Sequence, residues 1–298
     1  MSDTPQIGTL GFIGTGNLGA AIVAGLLKAG YDVAIFDTDA KAMAALEEKG
    51  AQPLASARAV GDKAEIVFAC LPTPEICAEV ALVPDGVAAG KAVKIYVETS
   101  TLGMAAIDAI AAGLAARQIQ FLDNPIVGGG GGTGVADGKA ATITAGPRDA
   151  FARIEPILKS LTRNVFYAGE KPGLAQVCKC VNAALAITGL TIACEAMVMG
   201  VKAGVDPKLL LDIVNAGSGR NVTTEERFAR TVLTRKFGGN SMRIMSKDMK
   251  LYAETAHALG LPSFVGSGIA EIWNAASARD VQHLVQFFES FADVEVKG

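Results

Sequence analysis

The sequence predicts an α/β domain followed by an all-helical domain, and three observations carry this prediction. Short β-rich runs alternate with helical patterns up to about residue 169. Beyond Pro172 the chain shows long helical periods and no convincing strand. The glycine-rich segment GFIGTGNLGAAIVAG follows the first predicted strand and opens the first predicted helix. We therefore expect two domains, residues 1–169 and 170–298, joined by a long interdomain helix that begins the second one.

The predicted strands are short and apolar, and helical stretches such as NLGAAIVAGLLKAG and TDAKAMAALEEKGA separate them. This alternation indicates a parallel sheet with right-handed crossovers, and apolar strands suit a sheet that is covered on both faces. Strands are predicted for LGFIG (10–14), VAIFD (33–37), IVFACL (66–71), IYVET (95–99), IQFLD (119–123), TITAG (142–146) and VFYAG (165–169).

The second half carries helix signals. In VDPKLLLDIVNAG, Pro207 lies near a predicted helix start and Gly217 near its end. The segment GLAQVCKCVNAALAITGLTIAC (173–194) holds one charged residue, Lys179. We expect a long helix here that leads away from the first domain.

The composition argues against several classes of protein. Half of the 298 residues are hydrophobic and 19% are charged, which excludes a disordered chain. A net charge of −3 argues against nucleic acid or an anionic membrane as a partner. The N-terminus MSDTPQ lacks a signal-type pattern, and we expect no membrane span, because no stretch of about 18 apolar residues is free of charged or polar breaks. A cytoplasmic location is expected.

The five cysteines indicate reduced thiols in a cytosol rather than a disulfide framework. Cys178 and Cys180 resemble a ligand pair, but positions i and i+2 point to different sides of a helix, and no second Cys/His pair follows. We expect buried thiols and no metal site.

Gly14, Gly16 and Gly19 form a G-x-G-x-x-G pattern between a strand and a helix, which is typical of a Rossmann-type dinucleotide-binding domain. Gly14 would allow the tight turn, Gly16 the approach of a pyrophosphate, and Gly19 close helix–strand packing. The helix begins at Asn17 and Leu18, whose free N–H groups would hold the phosphates. A glycine-rich turn without a cofactor is the alternative.

Asp37 ends the second predicted strand, 23 positions beyond Gly14. A carboxylate there can accept hydrogen bonds from the adenosine ribose and would repel a 2′-phosphate. No arginine follows in DTDAK, where Lys41 is the nearest cation. We therefore expect NAD rather than NADP.

Hydride chemistry on an alcohol needs a group that takes the hydroxyl proton. The two histidines, His257 and His283, lie in helical patterns where a surface or satisfied histidine is the better interpretation. Tyr167 and Lys171 have a Y-x-x-x-K spacing, but Gly169 and Pro172 would break the helix that this spacing requires.

Lys179 is the remaining candidate. On a helix it would share a small and polar face with Gln176, Asn182 and alanines 175, 183 and 186. Desolvation there would lower its pKa toward neutrality, as general acid–base catalysis requires, and Asn182 could orient the amine or bind substrate. A lysine that extends to solvent or pairs with a distant carboxylate is the alternative.

Five ordered motifs carry a family resemblance that covers nearly the whole chain: GFIGTGNLGAAIVAGLLKAGYDV, CLPTP, ETSTLG, GLAQVCKCVNAAL and MSKDMKLY. On these motifs the chain resembles the β-hydroxyacid dehydrogenase family, which includes 3-hydroxyisobutyrate dehydrogenases and tartronate semialdehyde reductases. The resemblance implies a Rossmann domain, a long interdomain helix and an all-α domain that forms a homodimer or homotetramer. It also implies reversible oxidation of a small 3-hydroxy acid by NAD.

The resemblance further implies roles for individual residues. Lys179 would be the catalytic acid–base group and Asn182 its asparagine. Leu71 and Pro72 would belong to the loop that lines the cofactor. Thr101 would lie near the nicotinamide, and Lys247 would reach back to the cofactor site. A loop of the type D-x-P-[VI]-S-G-G would hold the substrate carboxylate, and its positions here include Asn124, Val127, Gly128 and Gly129.

This sequence departs from that pattern. Val127 stands where the family has serine, and Ala175 and Ala183 replace its second glycine and second asparagine. Loss of one buried hydroxyl donor changes discrimination between substrates by roughly 1–3 kcal/mol. The hypothesis is that the substrate is bulkier than the family norm or depends less on this anchor.

Two other functions are compatible with parts of this pattern. An imine reductase would share the architecture, but such enzymes often lack the lysine. A non-catalytic cofactor-binding module would not need the Lys179–Asn182 pair. In NAGSGRNV, Ser218 or Asn221 could contact substrate or form a turn. Phe237 is expected in a pocket wall or the core, and Trp273 in the core or an interface.

Overall fold

The structure is a computed structural model, and it describes residues 8–128, 132–238 and 241–298. Among these described residues, the part of the chain up to Gly169 contains nine strands. They are β1 (Leu10–Ile13), β2 (Val33–Phe36), β3 (Gln52–Pro53), β4 (Ile66–Ala69), β5 (Ile95–Glu98), β6 (Gln120–Asp123), β7 (Ile126–Val127), β8 (Ala141–Ala145) and β9 (Asn164–Gly169).

Helices connect the strands, and local capping explains where several of them begin. The side chains of Asp39, Ser56 and Thr73 accept hydrogen bonds from the first turns of α2, α3 and α4. The helices of this part are α1 (Asn17–Lys28), α2 (Ala40–Glu47), α3 (Ala57–Lys63), α4 (Pro74–Leu82), α5 (Met104–Ala115), α6 (Thr133–Ala136) and α7 (Arg148–Leu161).

The strands form one sheet in the order β3-β2-β1-β4-β5-β6-β8-β7, with β9 paired to β8. The sheet is parallel from β3 to β6, as predicted, whereas β8 runs antiparallel to β6 and β7. The apolar pattern of TITAG predicts a strand but not its direction. The two-residue strands β3 and β7 are too short to give a periodic signal, and both were missed.

The sheet is covered on both faces. Leu10 and Phe12 join a core cluster with side chains from α1 and α7. The neighbouring Ile13 joins a second cluster with side chains from α3, α4 and α5. Because successive residues of a strand point to opposite faces, continuous apolar strands fill both clusters.

After Pro172 every regular element among the described residues is helical. Pro207 and Gly217 lie at the two ends of α9, as predicted, and the Asp206 side chain caps its start. The elements are α8 (Leu174–Lys202), α9 (Pro207–Ala216), two short π-helical segments (Thr223–Arg227 and Ala229–Leu233), α10 (Ser241–Ala258), α11 (Phe264–Ser277) and α12 (Leu284–Ala292).

The helical part has its own core. Trp273 is a core residue, and its indole N–H donates a hydrogen bond of 2.9 Å to the Thr191 hydroxyl. Phe237 stacks on the ring of His283. The Nδ1 atom of His283 accepts a bond from the N–H of Val285 and so caps α12. Burial and the nearby positive charge of Arg235 lower the pKa of His283 to about 4, so this histidine is neutral and structural.

The long helix α8 has an exposed apolar stripe. Val181, Leu185, Ile192 and Met199 recur along one side, and 74% of Leu185 is exposed. By length and composition alone the helix could cross a membrane, contrary to expectation. Core helices of soluble proteins meet the same criterion, and the opposite side of α8 is buried in the helical core. Its composition is therefore weak support for a membrane span.

The described residues divide into two compact units, one up to Lys179 and the other from Cys180 onward. The division falls inside α8, whose residues 174–179 pack with the first unit. Lys179 therefore belongs, by its contacts, to the unit that carries the sheet.

Candidate active site

Close backbone approaches explain two of the three glycines in the first loop. Gly14 has φ +89°, and a Cβ atom there would lie 2.2 Å from the carbonyl oxygen of Cys70. A Cβ atom on Gly19 would lie 1.9 Å from the carbonyl oxygen of Gly14. A Cβ atom on Gly16 would have nothing within 4 Å. The fold therefore requires Gly14 and Gly19, whereas Gly16 borders open space that a ligand can approach.

The start of α1 lies at this open space. Gly16 is the N-cap residue, and no side chain caps the helix there. Gly16 and Asn17 are exposed and Leu18 is half-buried. Uncapped N–H groups at a helix start, together with the helix dipole, favour an anionic ligand. The glycine cradle and the uncapped helix start fit the pyrophosphate of a dinucleotide.

Asp37 directly follows β2 beside this loop. One carboxylate oxygen accepts hydrogen bonds from the backbone N–H and, at 3.0 Å, the hydroxyl of Thr15, and the other accepts from the N–H of Asp39 at 2.9 Å. Burial raises the pKa of Asp37, but these hydrogen bonds outweigh it, so the pKa is lowered overall. The group is an ordered carboxylate at neutral pH, as recognition of ribose hydroxyls requires.

The segments after β4 and β5 meet at the same edge of the sheet. The N–H of Leu71 donates a 2.7 Å hydrogen bond to the hydroxyl of Ser100, and the Leu71 side chain lies against Gly14. Pro72 is exposed and Thr101 is half-buried. Leu71 and Thr101 therefore lie on segments that are directly joined, beside the glycine loop.

Lys179 reaches the loop that was predicted to bind substrate. Its Nζ atom donates a 2.9 Å hydrogen bond to the carbonyl oxygen of Ile126 in β7. Gly128, which follows β7, is exposed and has φ +69°. Gly129 lies outside the described residues. The ammonium group of Lys179 is thus fixed at the strand that leads into the predicted substrate loop.

Two departures from the family pattern pack in one small cluster. Val127 and Ala175 lie in an apolar group with Ile143 and Ala145, and Ala175 is fully buried. A serine at 127 and a glycine at 175 would each remove apolar surface from this cluster. Val127 therefore packs against the start of the helix that carries Lys179, about one turn before the lysine.

The Asn124 side chain faces the interior of the first unit. It is 1% exposed, and its amide nitrogen donates hydrogen bonds to the Thr144 hydroxyl at 2.6 Å and the carbonyl oxygen of Ile143 at 3.4 Å. Its Oδ1 atom and the Thr142 hydroxyl have no hydrogen-bond partner among the described residues. The contact of Asn124 with substrate stays a prediction, and the structure shows its side chain held by Thr144 and Ile143.

Two buried carboxyl groups at the sheet edge were not identified from the sequence. Glu98 and Asp123 end β5 and β6, are directly paired in register and are fully buried. Burial raises the pKa of Glu98 to about 7, although hydrogen bonds from Ser100 oppose the rise. Burial likewise raises the pKa of Asp123 to about 6, against hydrogen bonds from Gln176 and Gly173. Each lies in a predicted strand, but the sequence pattern does not show that its carboxyl group is buried.

The remaining predicted site residues lie in the second unit. Asn182 is exposed on α8, three positions after Lys179. Lys247 lies in α10, and its Nζ atom is 3.7 Å from a carboxylate oxygen of Asp248. The roles of Asn182 in catalysis and of Lys247 at the cofactor stay predictions. Asn221 caps the first π-helical segment, because its side-chain oxygen accepts from the N–H groups of residues 223 and 224.

Other candidate groups have structural environments. Tyr167 lies in β9, and its hydroxyl donates a 2.8 Å hydrogen bond to the carbonyl oxygen of Gly146, so it is not on a helix with Lys171. Cys180 is buried, but Cys178 is exposed, so the prediction of two buried thiols was wrong for Cys178. Among the described residues, no group of three or more His, Cys, Asp or Glu side chains could hold a metal ion.

Comparison with known families supports the same organisation. A family model described as the NAD binding domain of 6-phosphogluconate dehydrogenase matches residues 9–169. A second, described as NAD-binding of NADP-dependent 3-hydroxyisobutyrate dehydrogenase, matches residues 173–286. Together they span both predicted domains.

Curated relatives are similar over almost their whole length. A 3-hydroxyisobutyrate dehydrogenase of Pseudomonas aeruginosa is 32% identical over 92% of this chain and 94% of its own. A 2-(hydroxymethyl)glutarate dehydrogenase of Eubacterium barkeri is 29% identical over 97% of each chain.

Solved structures share the fold. A 3-hydroxyisobutyrate dehydrogenase from Salmonella typhimurium has a TM-score of 0.79 and 26% identity, covering 94% of this chain and 100% of its own. An imine reductase from Streptomyces aurantiacus has a TM-score of 0.62 and 18% identity, covering 95% and 99%, which shows a common fold only. With the glycine cradle, the ordered Asp37 carboxylate and the anchored Lys179, these likenesses show that the chain belongs to the β-hydroxyacid dehydrogenase family and is an NAD(P)-dependent oxidoreductase of hydroxy acids.

Proposed function

We propose that the protein oxidises a small hydroxy acid reversibly with NAD, and that Lys179 is its general acid–base group. The observation that carries this proposal is the hydrogen bond from Lys179 Nζ to the carbonyl oxygen of Ile126. It fixes the only charged side chain in the first five turns of α8 at the strand preceding the Gly-rich loop.

The proton step follows from this position. A bound nicotinamide would supply the hydride acceptor for the hydroxyl-bearing carbon of the substrate. As the C–H bond breaks, the neutral amine of Lys179 takes the hydroxyl proton and the C–O bond becomes a carbonyl. In the reverse direction the ammonium returns the proton to the carbonyl oxygen. The bond to Ile126 holds the amine in place in both protonation states, because an amine and an ammonium both keep an N–H donor.

The preference for NAD rests on Asp37. Its lowered pKa keeps a full negative charge where the adenosine ribose is expected, and three hydrogen bonds fix its orientation. Such a carboxylate accepts hydrogen bonds from ribose hydroxyls and repels the 2′-phosphate of NADP. Leu71, Pro72 and Thr101 would line the cofactor, with Lys247 from the helical domain.

The substrate is proposed to differ from the short 3-hydroxy acids typical of the family. Val127 supplies an apolar surface where the family has a hydroxyl donor, and it packs against the apolar cluster that contains Ala175. The substrate carboxylate would depend on backbone donors, including Gly128 and Gly129, and Asn182 would contact the substrate near Lys179. A substrate with an apolar group beside its carboxylate fits this surface.

Imine reduction is the second candidate, because imine reductases share the fold. Reduction of an imine requires a group that donates a proton to nitrogen, whereas oxidation of an alcohol requires a base that takes the hydroxyl proton. The presence of Lys179, which such enzymes often lack, favours the hydroxy acid.

We also propose that residues 1–169 bind the cofactor and residues 170–298 carry oligomerisation as well as substrate contacts. The apolar stripe on α8, which includes Leu185 and Met199, suits a homodimer or homotetramer. Light scattering that gives the mass of a single chain would contradict this assembly. A cytoplasmic location is proposed with it, and recovery in a membrane pellet after cell fractionation would contradict that location.

A substrate panel tests the proposed function. NAD and NADP are each supplied with 3-hydroxyisobutyrate, serine, 2-(hydroxymethyl)glutarate and bulkier 3-hydroxy acids, and the reverse reaction uses NADH with the corresponding aldehydes and a cyclic imine. We expect turnover of a hydroxy acid with NAD, and a better rate for a member larger than 3-hydroxyisobutyrate. Turnover of the imine alone would contradict the proposal. A clear preference for 3-hydroxyisobutyrate would contradict the hypothesis of a bulkier substrate.

A further inference from the structure

Gln176 is a fully buried polar side chain in the first turn of α8, one turn before Lys179. Every hydrogen-bonding position of its amide group is occupied. The carbonyl oxygen accepts from the N–H of Leu102 at 2.9 Å and the N–H of Gly103 at 3.3 Å. The amide nitrogen donates to the carbonyl oxygen of Ser100 at 3.1 Å and to Asp123 at 2.7 Å. Two donors and two acceptors fix the amide in one orientation.

These bonds join segments that are far apart in the sequence. Three of them go to the backbone between Ser100 and Gly103, which encloses Thr101, the predicted neighbour of the nicotinamide. The fourth goes to Asp123 at the end of β6. Gln176 itself is on the helix that carries Lys179. One side chain thus links the two predicted halves of the reaction centre.

Asp123 completes the connection at the start of α8. Its second carboxylate oxygen accepts hydrogen bonds from the N–H of Gly173 at 3.2 Å and the N–H of Gln176 at 3.1 Å. Those N–H groups belong to the helix start, where no intrahelical acceptor is available. Asp123 therefore fixes the beginning of the helix, and Gln176 fixes its rotation relative to the loop of Thr101.

We propose that Gln176, held by Asp123, is a positioning residue that sets the distance and orientation of Lys179 relative to the Thr101 loop. The proposal rests on the proposed role of Lys179 as acid–base group. Gln176 is fully buried and does not touch the substrate. It acts through the helix: a rotation or shift of α8 moves the amine away from the proton it must accept, and an error of about 1 Å lowers turnover by roughly 100-fold.

The polarity of the amide provides a specific test. In Gln176→Glu, an oxygen replaces the nitrogen and faces two acceptors, the Ser100 carbonyl and the Asp123 carboxylate. In Asp123→Asn, a nitrogen can face the amide nitrogen of Gln176. The double variant Gln176→Glu/Asp123→Asn reverses the direction of the bond between the two side chains and leaves the bonds from Leu102 and Gly103 intact, and only the lost bond to the Ser100 carbonyl is not restored.

The experiment measures kcat, substrate KM and the NADH dissociation constant for both single variants, the double variant and wild type. Each single variant is expected to lower kcat by about 10- to 100-fold with the NADH dissociation constant changed less than about threefold. The double variant is expected to regain at least about tenfold over the product of the two single losses. Single variants with wild-type kcat, or a double loss equal to that product, would overturn the proposal.

Folding is controlled by thermal unfolding and by Asp206→Ala, which removes the side-chain cap of α9, beyond the far end of α8 from Gln176. This control is expected to lower the melting temperature without changing kcat. If Gln176→Glu does not fold, Gln176→Met replaces it, and a wild-type kcat in that variant overturns the proposal.

A parallel measurement on Lys179→Ala separates the two claims. If that variant retains turnover, the role of Lys179 fails. If it is inactive while both single variants at 176 and 123 keep wild-type kcat, only the positioning role fails.

Discussion

The two ends of the sheet edge that forms the candidate site are built differently. At the cofactor end, one continuous segment supplies β1, the glycine loop and α1, and close backbone contacts of Gly19 with Gly14 and of Gly14 with Cys70 determine its shape. At the substrate end, the segment after β5 and the strands β6 and β7 are joined to the start of α8 by hydrogen bonds across 50 or more positions of sequence. The first end depends on space, and the second on the orientation of a few polar groups.

The largest expected effect comes from the cofactor end. Gly19→Ala places a Cβ atom 1.9 Å from a backbone oxygen, so it should lower the free energy of unfolding by about 3 kcal/mol or more. Gly16→Ala meets no atom within 4 Å and should cost less than about 1 kcal/mol. It should nevertheless weaken NADH binding by about tenfold or more, because a methyl group enters the space expected for the phosphates. Chemical denaturation and NADH fluorescence titration measure both quantities, and equal unfolding free energies for the two variants would contradict this distinction.

The next effect concerns pH at the substrate end. The folded-state pKa of Glu98 is about 7, above its ordinary 4.5, so the folded protein binds more protons than the unfolded chain between these values. The free energy of unfolding should therefore fall as pH rises from about 4.5 to 7, by up to about 3 kcal/mol from this residue. In Glu98→Gln this decline should be smaller. Denaturation of both proteins at several pH values measures the slopes, and identical slopes would show that burial of Glu98 does not control stability.

Cofactor choice sharpens the comparison at the cofactor end. Asp37→Asn removes the charge and keeps an acceptor, and it should shift the ratio of kcat/KM for NAD over NADP toward NADP by about 10- to 30-fold. Asp39→Asn is the matched control. It removes an equal charge two positions after Asp37, and Asp39 is the residue that caps α2. An unchanged ratio in Asp37→Asn, or an equal shift in Asp39→Asn, would contradict the role of Asp37.

The smallest effect is expected at Val127. Val127→Ser supplies the hydroxyl typical of the family and should raise kcat/KM for 3-hydroxyisobutyrate by about tenfold relative to the preferred substrate. Val127→Ala removes apolar contact without adding a donor and should not produce this gain. The comparison of both variants on both substrates decides the question, and an equal gain in the alanine variant would assign the effect to space alone.

The cofactor end could be predicted from the sequence because each part of it is local. The glycine spacing, the strand before it and the acidic residue after β2 are all properties of contiguous segments, and the structure gives Gly14 and Gly19 a steric reason. Long helices and their ends were equally predictable where Pro207 and Gly217 mark α9.

The substrate end was only partly predictable. Lys179 stood out because it is a lone charge in an apolar helix, but its partner is a backbone carbonyl that no side-chain pattern reveals. Asp123 and Glu98 lie in predicted strands, but their burial depends on the neighbouring strands, which the sequence pattern does not show. The interior orientation of Asn124 and the antiparallel direction of β8 likewise depend on tertiary pairing, which an apolar pattern does not encode.

The most direct test of the central claim is turnover by Lys179→Ala with the best substrate of the panel and NAD, together with NADH binding. Lys171→Ala is the control, because it removes an exposed lysine from the turn before α8. We expect Lys179→Ala to bind NADH within about threefold of wild type and to lose about 1,000-fold or more in kcat, while Lys171→Ala keeps wild-type turnover. Near-normal turnover by Lys179→Ala would contradict the assignment of the acid–base group.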